Sequence, residues 1–230
     1  MTHLEMRKII LQALEANDLD AVVSLALKSR KAMSLLVRLA YDKETLAGWR
    51  AIKAAGLVAK ALAKTDHEFL RITVRKLLWS LSDESGGIGW SAPELLGEIV
   101  SSDPAGFADI VPLIAEVYDI EEETFRPGVV YALTRIAETS PELAACHQKI
   151  IIRSLVDKNS LMKIYALELV ALLWNKVCRN NLWSLEYQEK VKRVVRVMAN
   201  DTEVAWVYKN NAFTDIQVGE LSKKIAKMLR

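Results

Sequence analysis

Leu35-Leu-Val-Arg-Leu-Ala-Tyr-Asp42, followed by Trp49-Arg-Ala51 and Gly56, returns position for position as Lys76-Leu-Leu-Trp-Ser-Leu-Ser-Asp83, followed by Trp90-Ser-Ala92 and Gly97. Asp, Trp, Ala and Gly recur in register, and self-similarity at a fixed period of roughly 40 residues marks a repeat array. Fainter copies follow. One runs from Leu113 to Asp119 with Phe125-Arg126 and has Ala132 at the glycine position, and another runs from Ile152 to Asp157 with Met162-Lys163. A degenerate copy begins at Val194 and reaches Asp201.

The spacing inside each copy is helical, as in Ile9, Ile10, Ala13 and Leu14 and then Val22, Val23, Leu25 and Ala26. Nine Gly and five Pro in 230 residues leave few breakers, which favours long helices. Start signals separate the apolar runs. Thr65-Asp-His-Glu68 and Ser91-Ala-Pro-Glu94 have the form of capping boxes, and Asp103-Pro104 and Ser140-Pro141 set a capping residue before a first-turn proline. The expected helices are 3–15, 18–28, 31–41, 44–63, 66–81, 91–101, 104–118, 125–138, 141–156, 160–178, 184–199 and 218–229. The stretch Glu203-Val-Ala-Trp-Val-Tyr208, the turn-like Lys209-Asn-Asn211 and Phe213-Thr-Asp-Ile216 read as a small β-hairpin before the last helix, placed to cap the open end of the array.

These repeats resemble HEAT repeats, which pair two antiparallel helices, close the first on an Asp and begin the second with an apolar-basic dipeptide. Asp42, Asp83, Asp119 and Asp157 match the first feature; Trp49-Arg50, Phe125-Arg126 and Met162-Lys163 match the second, and Trp90-Ser91 departs from it. The resemblance covers residues 31–178, and the stretch from Leu77 to Ile99 also looks like HEAT-like proteins of bacteria and archaea. It implies an all-α chain, a right-handed α-α superhelix of the HEAT/armadillo kind, with the small C-terminal hairpin added. One repeat domain over 1–230 is expected, with capping helices in 1–30, helix-pair repeats in 31–199 and a C-terminal cap in 200–230. Such a fold hosts many activities and specifies none.

Composition narrows the function. An apolar share of 51% beside 26% charged residues suits a globular chain. The net charge of +2 hides an asymmetry: residues 1–80 carry +6, residues 81–145 carry −11 and residues 146–230 carry +7. Cys146 and Cys178 form no motif, and His3, His67 and His147 fit no metal spacing. The glycine-bearing loop Asp83-Glu-Ser-Gly-Gly-Ile-Gly89 lacks the Lys-Ser/Thr of a phosphate-binding loop. No cofactor, metal or catalytic residue is therefore expected. Neither a signal peptide nor a long apolar run is visible, and a cytoplasmic protein is the expectation.

The leading expectation is a non-enzymatic scaffold that holds a protein or peptide partner on its concave or loop surface. Asp83, Glu84, Trp90 and Glu94 would form an acidic recognition loop with an aromatic anchor, because loops on rigid scaffolds often carry binding. Arg50 and Lys53, on one helix face with Lys60 and Lys64, would add a basic stripe on the concave side. The alternative is a nucleic-acid-binding or base-processing protein, since certain bacterial DNA glycosylases are short HEAT-like solenoids. The acidic centre opposes a phosphate backbone along the array.

Overall fold

A computed structural model of the chain describes residues 2–81, 90–120 and 123–229. In chain order its helices are α1 (His3–Glu15), α2 (Leu19–Lys28), α3 (Lys31–Leu39), α4 (Leu46–Leu62), α5 (His67–Leu81), α6 (Ala92–Ser102), α7 (Val111–Ile120), α8 (Arg126–Thr139), α9 (Pro141–Ala145), α10 (Gln148–Leu155), α11 (Ser160–Arg179) and α12 (Leu185–Met198). Strands β1 (Val204–Lys209) and β2 (Ala212–Gln217) precede the last helix, α13 (Val218–Met228). Among the described residues no helix is long and apolar enough to cross a membrane.

The second helices of the repeats, α4, α6, α8 and α11, pack side by side in that order, with α3, α5, α7 and α10 as their outer partners. This is how a helix pair that cannot bury its own apolar face finds a core. Small residues set the spacing. A Cβ added at Gly97 would lie 2.4 Å from the Cα of Ala132, so α6 and α8 meet backbone to backbone at the repeat's glycine and alanine positions. Every residue from Ser91 to Ser101 is buried. Helix α6 is thus enclosed on all sides, the condition of a central helix.

The helix ends correct several expectations. Ser91 caps no backbone N–H; its hydroxyl donates 2.5 Å to the Ala40 carbonyl, and Glu94 turns to Lys43 instead of closing a box. Thr65 likewise donates to the Leu62 carbonyl, which terminates the preceding helix rather than starting the next. The helix expected from 104 begins at Val111, because Asp103 accepts from the Gly106 amide in a turn and a short 3-10 segment, Ala108–Ile110, intervenes. The expected helix 141–156 is two helices, interrupted at Cys146 and His147. True side-chain caps occur at Thr2, Asp18, Thr45, Asn159 and Ser184.

The β-hairpin forms as read, in antiparallel register from Val204↔Gln217 to Lys209↔Ala212. Asn210 and Asn211 both have positive φ, 52° and 64°, which a two-residue turn needs and asparagine tolerates. It packs on α11, the last helix of the layer, and also reaches back across the inner face of that layer. Lys163 of α11 holds its base through Asp201 and Glu203, both at 2.8 Å, and Ser160 donates to the Val204 carbonyl. Its tip reaches α4, where the Tyr208 ring stacks on Trp49 and the Asn211 carbonyl accepts from Arg50. A hairpin that touches both the last and the first helix of the layer shows that the layer curves around it. The apolar side chains Ala205, Val207 and Tyr208 are buried by this arrangement, which stabilises it.

Candidate functional site

Glu94 and Glu98 stand four residues apart on α6 and so share one face. They are 3% and 4% exposed, a costly place for two carboxylates unless each is paired. Lys43 Nζ donates 2.8 Å to Glu94 Oε1 and also to the Trp90 carbonyl. Glu98 Oε1 accepts from Lys53 Nζ at 2.7 Å and from the Tyr131 hydroxyl at 2.6 Å, and the Arg135 guanidinium pairs with the same carboxylate, Nε lying 2.8 Å from Oε1 and Nη2 donating to Oε2 at 3.4 Å. Arg135 also pairs with Glu138. Burial, and then the adjacent Glu98 carboxylate, push the Tyr131 phenol well above its usual range, so it remains a donor. For the Arg135 guanidinium, burial acts to lower the pKa, but Glu98 and its other anionic neighbours outweigh it and the group stays firmly charged.

Two glycines make room for the carboxylates. A Cβ at Gly128 would sit 2.7 Å from the Glu94 carboxyl, and one at Gly56 would sit 2.9 Å from Glu98 Oε2. The repeated glycine therefore serves a carboxylate in one repeat and a backbone contact in the next.

An aromatic row crosses the same face. Trp49 packs edge-on to Tyr131 at 5.3 Å, and Tyr131 edge-on to Tyr165 at 5.5 Å. Towards the hairpin, Trp49 lies parallel to Tyr208 at 5.4 Å, and Tyr208 meets Phe213, which stacks on Trp206 at 3.6 Å. Beneath the hairpin tip, between α8, α11 and α13, lies a cavity of about 670 Å³ lined in part by Tyr131, Arg135, Tyr165 and Tyr208.

The residues singled out in the sequence meet different fates. Glu94 and Lys53 lie together in the buried network. Arg50 donates to the last carbonyls of α1, Leu14 and Glu15, both at 2.9 Å, as well as to Asn211. Trp90 is 42% exposed and lies near Phe125, whereas Trp49, at the same repeat position, is covered by Tyr208. Asp83 and Glu84 lie outside the described residues. Sequence reading missed Glu98, Tyr131, Arg135 and Glu168, whose partners sit on other repeats; the charged residues on an otherwise apolar α6 were the one available signal. Among the described residues no cluster of His, Cys, Asp and Glu could hold a metal ion. His67 stacks on Phe107 at 4.9 Å, and burial lowers the His147 pKa.

No protein-family model matches the sequence, and no curated protein matches it. Solved structures do. The chain is similar to a designed armadillo repeat protein at 14% identity and a TM-score of 0.53, over 98% of this chain and 91% of the other. It is similar to an engineered protein at 13% identity and a TM-score of 0.51, over 100% and 97%. A HEAT-like repeats protein from the archaeon Thermococcus onnurineus NA1 aligns at 15% identity and a TM-score of 0.41, over 100% and 97%. The fold is that of a HEAT/armadillo-like helical repeat protein, with a hairpin turned onto its inner face.

Proposed function

We propose that this chain is a non-enzymatic interaction scaffold that receives a protein or peptide partner at the opening of the inner face, beside the hairpin tip. The cavity there carries the reading: its walls come from five separate elements, α4, α8, α11, the hairpin and α13, and its rim is part apolar and part charged. The ion pairs support binding of a protein over nucleic acid. Lys53 and Arg135 are matched by Glu98, and Lys209 by Glu168, so a phosphate backbone would have to displace carboxylates to gain those cations.

Leu172, 40% exposed on the rim, and Trp90, exposed on the other flank of α6, separate the two surfaces on which a partner could dock. Tagged wild-type chain, Leu172→Glu and Trp90→Ser would be used to capture partners from the source cells. Leu172→Glu is expected to reduce recovery of the main partner by roughly tenfold, as burying one unpaired charge in an interface does, with an unchanged melting temperature. Full recovery with Leu172→Glu, and loss with Trp90→Ser, would move the docking surface to the flank and overturn this assignment.

A further inference from the structure

Three observations meet in the cavity under the hairpin tip. The first is a donor without a partner. Tyr165 lines the cavity and is only 4% exposed, and among the described residues its hydroxyl has no hydrogen bond. A ligand acceptor entering the cavity can take up that donor. Burial chiefly, and then the charges of Glu94 and Glu168, raise its pKa, so it stays protonated and able to donate.

The second is an unbalanced charge. Lys53, Arg135, Lys209 and Lys224 line the cavity. Glu98 takes Lys53 and Arg135, Glu138 takes Arg135 a second time, and Glu168 takes Lys209. Lys224 makes no close ion pair among the described residues; Glu220, one turn away on α13, is bonded to Lys223 and acts on Lys224 only at longer range. One positive charge is therefore spare, on a flexible side chain at the rim.

The third is an apolar wall. Leu221, Ile225 and Met228 of α13 face the cavity together with Leu172 of α11, and Met228 and Leu172 are 52% and 40% exposed. The floor opposite is polar, built from Tyr131, Thr134 and Arg135.

We infer that the cavity binds a single carboxylate carried on an apolar group, with Lys224 and the Tyr165 hydroxyl taking the carboxylate and the α13 wall taking the apolar part. A dianion would exceed the spare charge, and an amine would meet carboxylates that are already occupied. The C-terminus of a partner ending in an aliphatic residue has this chemistry, and so does a free aliphatic acid. The first source rests on the scaffold reading above; the site itself does not.

Titration calorimetry on the full chain would use an N-acetylated Gly-Ser-Ala-Leu peptide and decanoate, each beside its uncharged carboxamide. At least one acid is expected to bind roughly tenfold tighter than its amide, the value of one charge-assisted hydrogen bond. Lys224→Met should remove most of that preference, and Tyr165→Phe should reduce it with no fall in melting temperature, since the hydroxyl supports nothing else. Binding of the peptide acid alone assigns the site to a chain terminus; binding of decanoate alone assigns it to a free acid. Acids and amides of equal affinity, no binding of either acid, or indifference to both substitutions would overturn the inference. A carboxylate preference with partner capture unaffected by Leu172→Glu would leave the site standing and remove the docking surface assigned above, and the converse result would do the opposite.

Discussion

Gly97 shows how much one residue decides here. Its α-hydrogens face Ala132, and a Cβ would come within 2.4 Å of that residue's Cα and 2.7 Å of its Cβ. Backbone cannot rotate out of the way, so Gly97→Ala must separate α6 from α8 and loosen the buried network with them. Gly56→Ala would instead meet Glu98, at 2.9 Å from a carboxylate oxygen, 3.0 Å from its Cβ and 3.2 Å from its carbonyl oxygen, all longer than the 2.4 Å and 2.7 Å at Gly97. We expect Gly97→Ala to destabilise by about 1–3 kcal/mol, the usual range for overpacking, and Gly56→Ala by less. Thermal unfolding checks this, with a fall of roughly 2–4 °C for each kcal/mol in a chain of this size. Equal effects, or none at Gly97, would contradict the close approach of the two helices. Glu98 marks the limit at the same scale: its neutralising partners Lys53 and Arg135 lie 45 and 37 positions away in sequence, on other repeats. From sequence alone, Glu94 reads as part of an acidic recognition loop and Glu98 is not singled out, since nothing local reports that α6 is surrounded.

Among the elements, the hairpin was legible in its making and only in part in its placement. Alternating β-branched and aromatic residues around Asn210-Asn211 specify two strands and a tight turn, because both signals are local. Its docking depends on Trp49 and Lys163, which sequence reading could assign only to the repeats themselves. The base of the hairpin titrates at both extremes. Burial acts to raise the Asp201 pKa, but the hydrogen bonds from Lys163 and the Glu203 amide outweigh it and hold the carboxyl below its ordinary 3.8. For Lys163 burial acts downward, and its bonds to Asp201 and Glu203 together lift it above 10.5. The anchor is therefore complete between those two ordinary values. It is lost in acid as pH falls through the lowered Asp201 value, and in alkali as pH rises through the raised Lys163 value. Amide exchange in β1 and β2, measured relative to α6, should lose protection first at both ends of the pH range, and Asp201→Asn should remove the acid-side dependence. Strand protection that follows α6 at every pH would show that this anchor does not hold the hairpin.

For the molecule as a whole, the hairpin joins what an array of helix pairs normally keeps apart. Arg50 ties the end of α1 to the hairpin tip, and Lys209 ties the tip to Glu168 of α11, so first and last helices of the layer share one set of contacts. Arrays without such a link gain stability only from neighbour to neighbour. With it, strain at one end is felt at the other. Arg50→Met, which keeps the aliphatic stem and removes the three carbonyl bonds, is expected to raise the radius of gyration seen by solution X-ray scattering and to make hairpin exchange faster at neutral pH. An unchanged scattering profile would mean that the helix layer holds its curvature unaided. The closed contact also bears on how such a chain can evolve. Open arrays lengthen and shorten readily by duplicating or deleting a helix pair, because a new pair need only fit its neighbours. A pair inserted between α4 and α11 here would carry Trp49 roughly 10 Å from Tyr208 and part Arg50 from Asn211, a displacement set by the packing distance of helices. Copy number becomes a selected trait: residues in this array are free to drift long after its count of repeats is frozen.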